Sequence, residues 1–176
     1  MQNLSPAMPF LIAVAILSRL LTLALSRRNE ARLRAAGAIE FAKGNTKLLA
    51  IAHTAFYLLA VAEYWQRRDA VGAITITGIG VWLFAMLALA MVMRELGELW
   101  TVKVFIAPHH VLRVGSLYRY FRHPNYVLNI IPELIGFGMA LQAWFTLALG
   151  LPVYLAILYR RVQAEESAMR ARFQGY

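Results

Sequence analysis

One segment of the chain concentrates side chains able to hold or polarise a ligand. From Arg94 to Tyr126 it carries Glu95, Glu98, Trp100, Lys103, His109, His110, Arg113, Tyr118, Arg119, Tyr120, Arg122 and His123, with three of the protein's four histidines. Its end, Arg122-His123-Pro124-Asn125-Tyr126, reads as a helix start, because a proline in the first helical position has no N–H to lose. His123 then meets the free backbone donors of a first turn, a ready place for a carboxylate or other polar ligand. A second cluster, Arg160-Arg161 followed by Glu165-Glu166, puts Arg161 and Glu165 four residues apart on one helical face. Taken singly, the first run is an interfacial segment with headgroup anchors, and the second an exposed ion pair of about 0.2–0.5 kcal/mol. On one side of a membrane and on adjacent helices, the two would form a site. The chain has no Cys, which removes thiolate nucleophiles, disulfides, iron–sulfur clusters and Cys-based zinc sites.

The elements that must position these groups are membrane helices. Of the 176 residues 60% are hydrophobic and 15% charged, and mean hydropathy is +0.56. A soluble domain runs near 45–50% apolar and about 25% charged, so this excess exceeds what one core of this size can bury. The same numbers exclude disorder and collagen-like or disulfide-stapled classes. The sequence predicts an all-α integral membrane bundle, one domain over 1–176, of about five transmembrane helices. The spans run Pro9–Leu25, Leu48–Trp65, Val71–Met93, Tyr126 to about Ala143, and about Thr146 to Tyr159. Helices of residues 1–93 form a variable part and residues 94–176 the catalytic region. A few residues around Gln142-Ala143-Trp144 join the last two spans in a tight hairpin, which brings the start of one beside the end of the other. The start of the chain lacks the basic region and cleavage site of a secretory signal.

Charge placement predicts orientation. Arg27, Arg28, Arg32, Arg34, Lys43, Lys47, Arg94, Lys103, Arg113, Arg119, Arg122, Arg160, Arg161, Arg170 and Arg172 all fall on one side, against Arg67 and Arg68 on the other. The positive-inside rule therefore expects the N-terminus outside and the C-terminus and site cytoplasmic, in the inner or cytoplasmic membrane. The net charge of +9 is on this reading a topology signal with some affinity for anionic lipid, and nucleic acid is not an expected partner.

The ordered pattern His110-Val111-Leu112-Arg113-Val-Gly115-Ser-Leu-Tyr118, Arg122-His123-Pro124-Asn125-Tyr126 and Arg161-x-x-x-Glu165-Glu166 resembles the isoprenylcysteine carboxyl methyltransferases and their bacterial relatives, over roughly residues 95 to 170. The resemblance implies an S-adenosylmethionine-dependent membrane O-methyltransferase. It implies cofactor contacts from His110, Val111, Leu112, Arg113, Tyr118, His123, Pro124, Asn125, Tyr126 and Glu165, and a catalytic, substrate-binding role for Arg161. Lys103 stands where relatives can carry a cofactor-contacting glutamine. No metal is implied. Such a cofactor is a sulfonium cation with an amino-acid end and an adenine, so a carboxylate can meet its ammonium and His or Tyr donors its carboxylate. The expected acceptor is lipophilic and enters from the bilayer, favoured as an isoprenylcysteine-like or other lipid carboxylate. The rivals are a phenolic lipid or quinol, a pyridine-nucleotide membrane reductase, and a non-enzymatic lipid-binding protein.

Four further positions carry expectations. Glu133, behind Pro132 inside the fourth span, faces the bundle or a cavity and is a candidate substrate-binding residue in an acceptor pocket. Arg19 snorkels or pairs, Glu63 is solvated near an interface, and His53 is a hydrogen-bonded packing residue. Gly78-Ile79-Gly80, with no strand before it, reads as a helix-packing glycine pair.

Overall fold

The computed structural model describes residues 7–41, 43–106 and 116–172. Among these, three helices are long and apolar enough to cross a bilayer: α1 (Ala7–Ala35), α2 (Lys43–Arg67) and α3 (Ala73–Leu96). Their outer faces expose Phe10, Leu20, Leu58, Ile76 and Leu87, a surface that lipid covers at no penalty and water would not. The molecule is a helical membrane bundle, as the composition requires.

The predicted fourth and fifth spans form one hairpin. A π-helical stretch, Asn125–Ile130, leads into α5 (Ile131–Ala140), and a second, Thr146–Gly150, leads into α6 (Leu151–Arg172). Each π stretch runs up to a proline, Pro132 or Pro152. A proline offers no N–H and its ring presses on the carbonyl four residues back, Leu128 or Ala148, so the wider turn relieves both clashes. Helix α6 continues well past the predicted end at Tyr159, carrying Arg161 and Glu165 on ordered helix. The link is tight, with Gln142 in a left-handed conformation (φ 52°) and its side-chain amide donating to the Ala70 carbonyl at 2.9 Å. Glu63 corrects an expectation: it caps the start of the π stretch that leads into α6 instead of resting in solvent. It accepts from the Phe145 and Thr146 amides and the Thr146 hydroxyl, each at 2.9 Å, where a helix start favours negative charge.

Helix α3 packs along α5, and α2 along α6. The α3–α5 crossing rests on glycine at one point. A Cβ on Gly78 would stand 2.3 Å from the Ala140 amide nitrogen, and one on Gly136 2.5 Å from that of Trp82. Gly80, grouped with Gly78 on sequence grounds, meets nothing within 4 Å and takes no part. Around this crossing the core gathers Met8, Phe56, Tyr57, Trp82, Leu134, Phe137 and Tyr154.

The segment after α3 carries short elements that the sequence does not announce. Strands β1 (Ile39–Phe41) and β2 (Val104–Ile106) pair antiparallel, Glu40 opposite Phe105. Three residues are too few for an alternating pattern to register. Arg34 fastens the ribbon, donating to Glu40 at 2.8 Å with its guanidinium 5.3 Å above the Phe105 ring. Asn29 donates to the Trp100 carbonyl at 2.8 Å, which ties the same segment to α1. A short helix, α4 (Ser116–Tyr120), then precedes the hairpin.

Candidate active site

The start of the hairpin and its end meet as the sequence predicts, at the end of the bundle that carries most of the Lys and Arg. The His123 carbonyl accepts the Tyr126 and Val127 amides at 3.0 and 3.1 Å, so His123 caps the helix and Pro124 occupies its first position. The first π turn then carries Asn125 and Tyr126. The Tyr126 hydroxyl donates to Glu165 Oε1 across the gap between the two arms. The His123 and Tyr126 rings stack at 5.7 Å, and His123 lies 3.8 Å from Glu165 Oε2 and 3.3 Å from Glu166 Oε1. Arg170 holds Glu166 from the outside at 2.9 Å.

Arg161 is the hub. Its side chain is 2% exposed, and its Nε donates to Glu165 Oε1 at 2.7 Å and more weakly to the Tyr126 hydroxyl at 3.4 Å. Its Nη1 donates to the Thr46 hydroxyl, and its Nη2 to the Val102 carbonyl at 3.1 Å. One guanidinium thereby joins α2, the segment after α3, the π turn and α6. Its planar fork suits this role, since five donors in fixed directions reach several acceptors at once.

Tyr118 on α4 belongs to the same region. Burial, with the negative charges of Glu95 and Glu165, pushes its phenol up to about 12, so it remains a neutral donor. Glu95 also accepts the Leu117 amide at 3.3 Å, holding the start of α4. Lys103 stands apart from this cluster, its ammonium 2.7 Å from Glu30. His110, Val111, Leu112 and Arg113 lie outside the described residues.

Beneath the cluster a cavity of about 470 Å³ runs into the bundle between α1 and α2. Tyr126, Asn125, Trp100, Val102 and Thr46 line its upper end, and Tyr57, His53, Arg19 and Tyr154 its depth. Most of its lining surface is apolar, and it includes Leu20 and Leu58, which also face outward from the bundle. The cavity wall is therefore continuous with the lipid-facing surface.

Glu133 lies deeper, fully buried, and Arg19 is its partner. Arg19 donates from Nε to Glu133 Oε1 at 2.6 Å, and the Tyr57 hydroxyl donates to the same oxygen. His53 completes this group, with Nε2 3.7 Å from Glu133 and Nδ1 3.3 Å from the Tyr154 hydroxyl. Arg19 pairs, one of the two alternatives its sequence position offers, and His53 is hydrogen-bonded within the bundle as expected, whereas Thr46, Tyr57, Val102 and Tyr154 carry no expectation from the sequence. For Thr46 and Tyr154 the available signal was spacing, because each lies seven residues from another polar residue on its span, His53 or Arg161.

Residues 78–171 match the model of the Isoprenylcysteine carboxyl methyltransferase (ICMT) family. An uncharacterized protein of Haemophilus influenzae is 45% identical over 155 residues, 88% of this chain and 90% of that protein. The uncharacterized protein YpbQ of Bacillus subtilis is 27% identical over 160 residues, 91% of this chain and 95% of its own. No solved structure matches the chain.

Proposed function

The chain belongs to the isoprenylcysteine carboxyl methyltransferase family, and from that premise we propose that it moves a methyl group from S-adenosylmethionine to an oxygen of a lipophilic acceptor. A lipid carboxylate such as that of a prenylated cysteine is the favoured acceptor. The observation that carries the reading is continuity: Tyr126 hydrogen-bonds Glu165 in the polar cluster and also lines the apolar cavity beneath it. A polar cofactor and a greasy acceptor can thus meet across one side chain.

The residues present fit the cofactor. Asn125 Oδ1 is buried without a hydrogen-bond partner, so a donor from a ligand would satisfy it. Glu165 offers a carboxylate to an ammonium, and His123 with the first π turn offers donors to a carboxylate. When bound, S-adenosylmethionine would supply a methyl group activated by its sulfonium centre. The protein's own contribution is positioning and exclusion of water, the main levers for an in-line displacement. Arg161, held by four partners, fixes Glu165 and Tyr126 relative to each other. A carboxylate acceptor is ionised at neutral pH and needs no base. On the positive-inside reading the polar cluster is cytoplasmic, and the cofactor enters there while the acceptor slides between α1 and α2 past Leu20 and Leu58.

A phenolic lipid or quinol is the second reading, favoured by one observation. The Arg161 guanidinium already donates to Glu165, Tyr126, Thr46 and Val102, so an anionic acceptor would have to share it with Glu165. A neutral phenol would not, and Glu165 or His123 would be the group to take its proton. The test is transfer of label from methyl-labelled S-adenosylmethionine, in lipid nanodiscs, to a prenylated-cysteine analogue and to an alkylphenol. Labelled ester is the expected product. Labelled aryl ether alone would establish the second reading, and no transfer to either would count against methyl transfer to both acceptor classes.

A further inference from the structure

Four elements of the bundle repeat one spacing. Ser26 and Arg19 on α1, Thr46 and His53 on α2, Tyr126 and Glu133 on the fourth span, and Arg161 and Tyr154 on α6 are each seven residues apart. On α1, α2 and α6 seven residues are close to two α-helical turns, so each pair shares a face with about 10 Å between its members, while in the fourth span the π stretch lies between the two. The first-named of each pair meet in one layer. Ser26 accepts the Val102 amide at 2.9 Å, and Val102 accepts from Arg161, which also donates to Thr46 and Tyr126. The second-named meet in another: Arg19 on Glu133, His53 beside Glu133, and Tyr154 on His53. The cavity connects the two layers, with Thr46 and Tyr126 at one end and Arg19, His53 and Tyr154 at the other.

The deep layer is costly as pure scaffolding. Replacing a buried ion pair by apolar groups of similar size is often neutral or stabilising, and ionisable groups inside a membrane mark pathways or binding sites. Two of its features point to a ligand. His53 Nε2 is buried with no hydrogen-bond partner, and so is Oδ1 of Asn129, which lines the same cavity one turn above Glu133 and whose amide is fixed on the Ala85 carbonyl at 3.0 Å. The charges of Arg19 and Glu133 cancel, so a charged ligand group would stay uncompensated there while a neutral one would not.

We propose that the Arg19–Glu133–Tyr57–His53–Tyr154 cluster is a second recognition site, which binds an uncharged hydrogen-bonding group (a hydroxyl, phenol or carbonyl) carried on the apolar body of the acceptor. The word acceptor rests on the methyltransferase reading, but binding of such a group does not. Selection then acts at both ends of the cavity. Molecules with a polar group about 10 Å from the reacting oxygen are preferred over plain hydrocarbon chains of equal length.

The test uses the full-length protein in nanodiscs, with decan-1-ol, decane and decyltrimethylammonium as probes and the unfolding temperature as readout. Decanol should raise that temperature with saturable dose dependence, and the other two should not. In the double variant Arg19→Met/Glu133→Leu, which keeps the layer neutral and packed, decanol affinity should fall at least tenfold. Tyr154→Phe, which removes a single hydroxyl, should weaken it at least threefold and serves if the double variant does not fold. Equal decanol affinity in wild type and variants, or equal stabilisation by decane, overturns the proposal. S-Adenosylhomocysteine is titrated into the same samples. Its binding to wild type tests the methyltransferase reading separately, and that binding should survive in both variants.

Discussion

Arg161 donates to Glu165 at 2.7 Å across one turn of α6, with 2% of the arginine side chain exposed. On an open helix surface the same spacing contributes a few tenths of a kcal/mol, as an exposed i, i+4 pair does. Inside the bundle, with Thr46 and Val102 on the other nitrogens, it joins four elements. Arg161→Ala is therefore expected to lower stability by about 3 kcal/mol, the scale for breaking a buried pair. It should also depress methyl transfer at least about a hundredfold (2.7 kcal/mol on the barrier). Arg161→Lys should recover little of either, because a single ammonium nitrogen cannot stand where the three guanidinium nitrogens meet Glu165, Thr46 and Val102. Thermal unfolding and initial rates measured together check this, and small, equal effects of Ala and Lys would return the pair to the solvated reading.

The α3–α5 crossing supplies a test independent of function. Gly78→Ala drives a Cβ into the Ala140 backbone and should destabilise by about 1–3 kcal/mol. Gly80→Ala, two residues away on the same helix with open space around it, should be neutral or stabilise by up to about 1 kcal/mol. Unfolding temperatures in one detergent give the comparison, and equal shifts would contradict the crossing geometry.

Glu166 predicts a pH signature. The hydrogen bond from His123 holds its carboxyl below the usual glutamate range, with Arg170 and Arg122 adding to the effect against slight desolvation. A carboxyl depressed in the folded state stabilises fully above its unfolded value of about 4.3, and that stabilisation is lost as pH falls through the folded value. The gap in unfolding temperature between wild type and Glu166→Gln should be present above the unfolded value of about 4.3 and narrow as pH falls below it. A gap unchanged at acid pH would rule out this coupling.

What could be read from the sequence was local. Arg122-His123-Pro124-Asn125-Tyr126 announces a helix start because proline chemistry is written within five residues, and Arg161 with Glu165 needs only helical spacing. The hairpin then follows from its short link, and it alone brings His123 and Tyr126 to Glu165. Partners supplied from far along the chain were invisible: Thr46 lies 115 residues before Arg161, and Arg19 lies 114 before Glu133. Thr46 reads alone as an ordinary member of an apolar span, and Arg19 shows that it needs a partner without showing which. The π turns were unread for another reason. Pro132 and Pro152 signal a disturbed helix, but whether it kinks, breaks or widens depends on packing against α2 and α3.

The measurement closest to the centre of the account is calorimetric titration of S-adenosylhomocysteine into the protein in nanodiscs, for wild type, Glu165→Gln and His123→Ala. Wild type should bind, and each variant, shown by thermal unfolding to be folded at the titration temperature, should bind at least tenfold more weakly, a change of about 1.4 kcal/mol. Absence of binding to folded wild type, or equal affinity in all three, would contradict a cofactor site at the Arg161–Glu165 cluster.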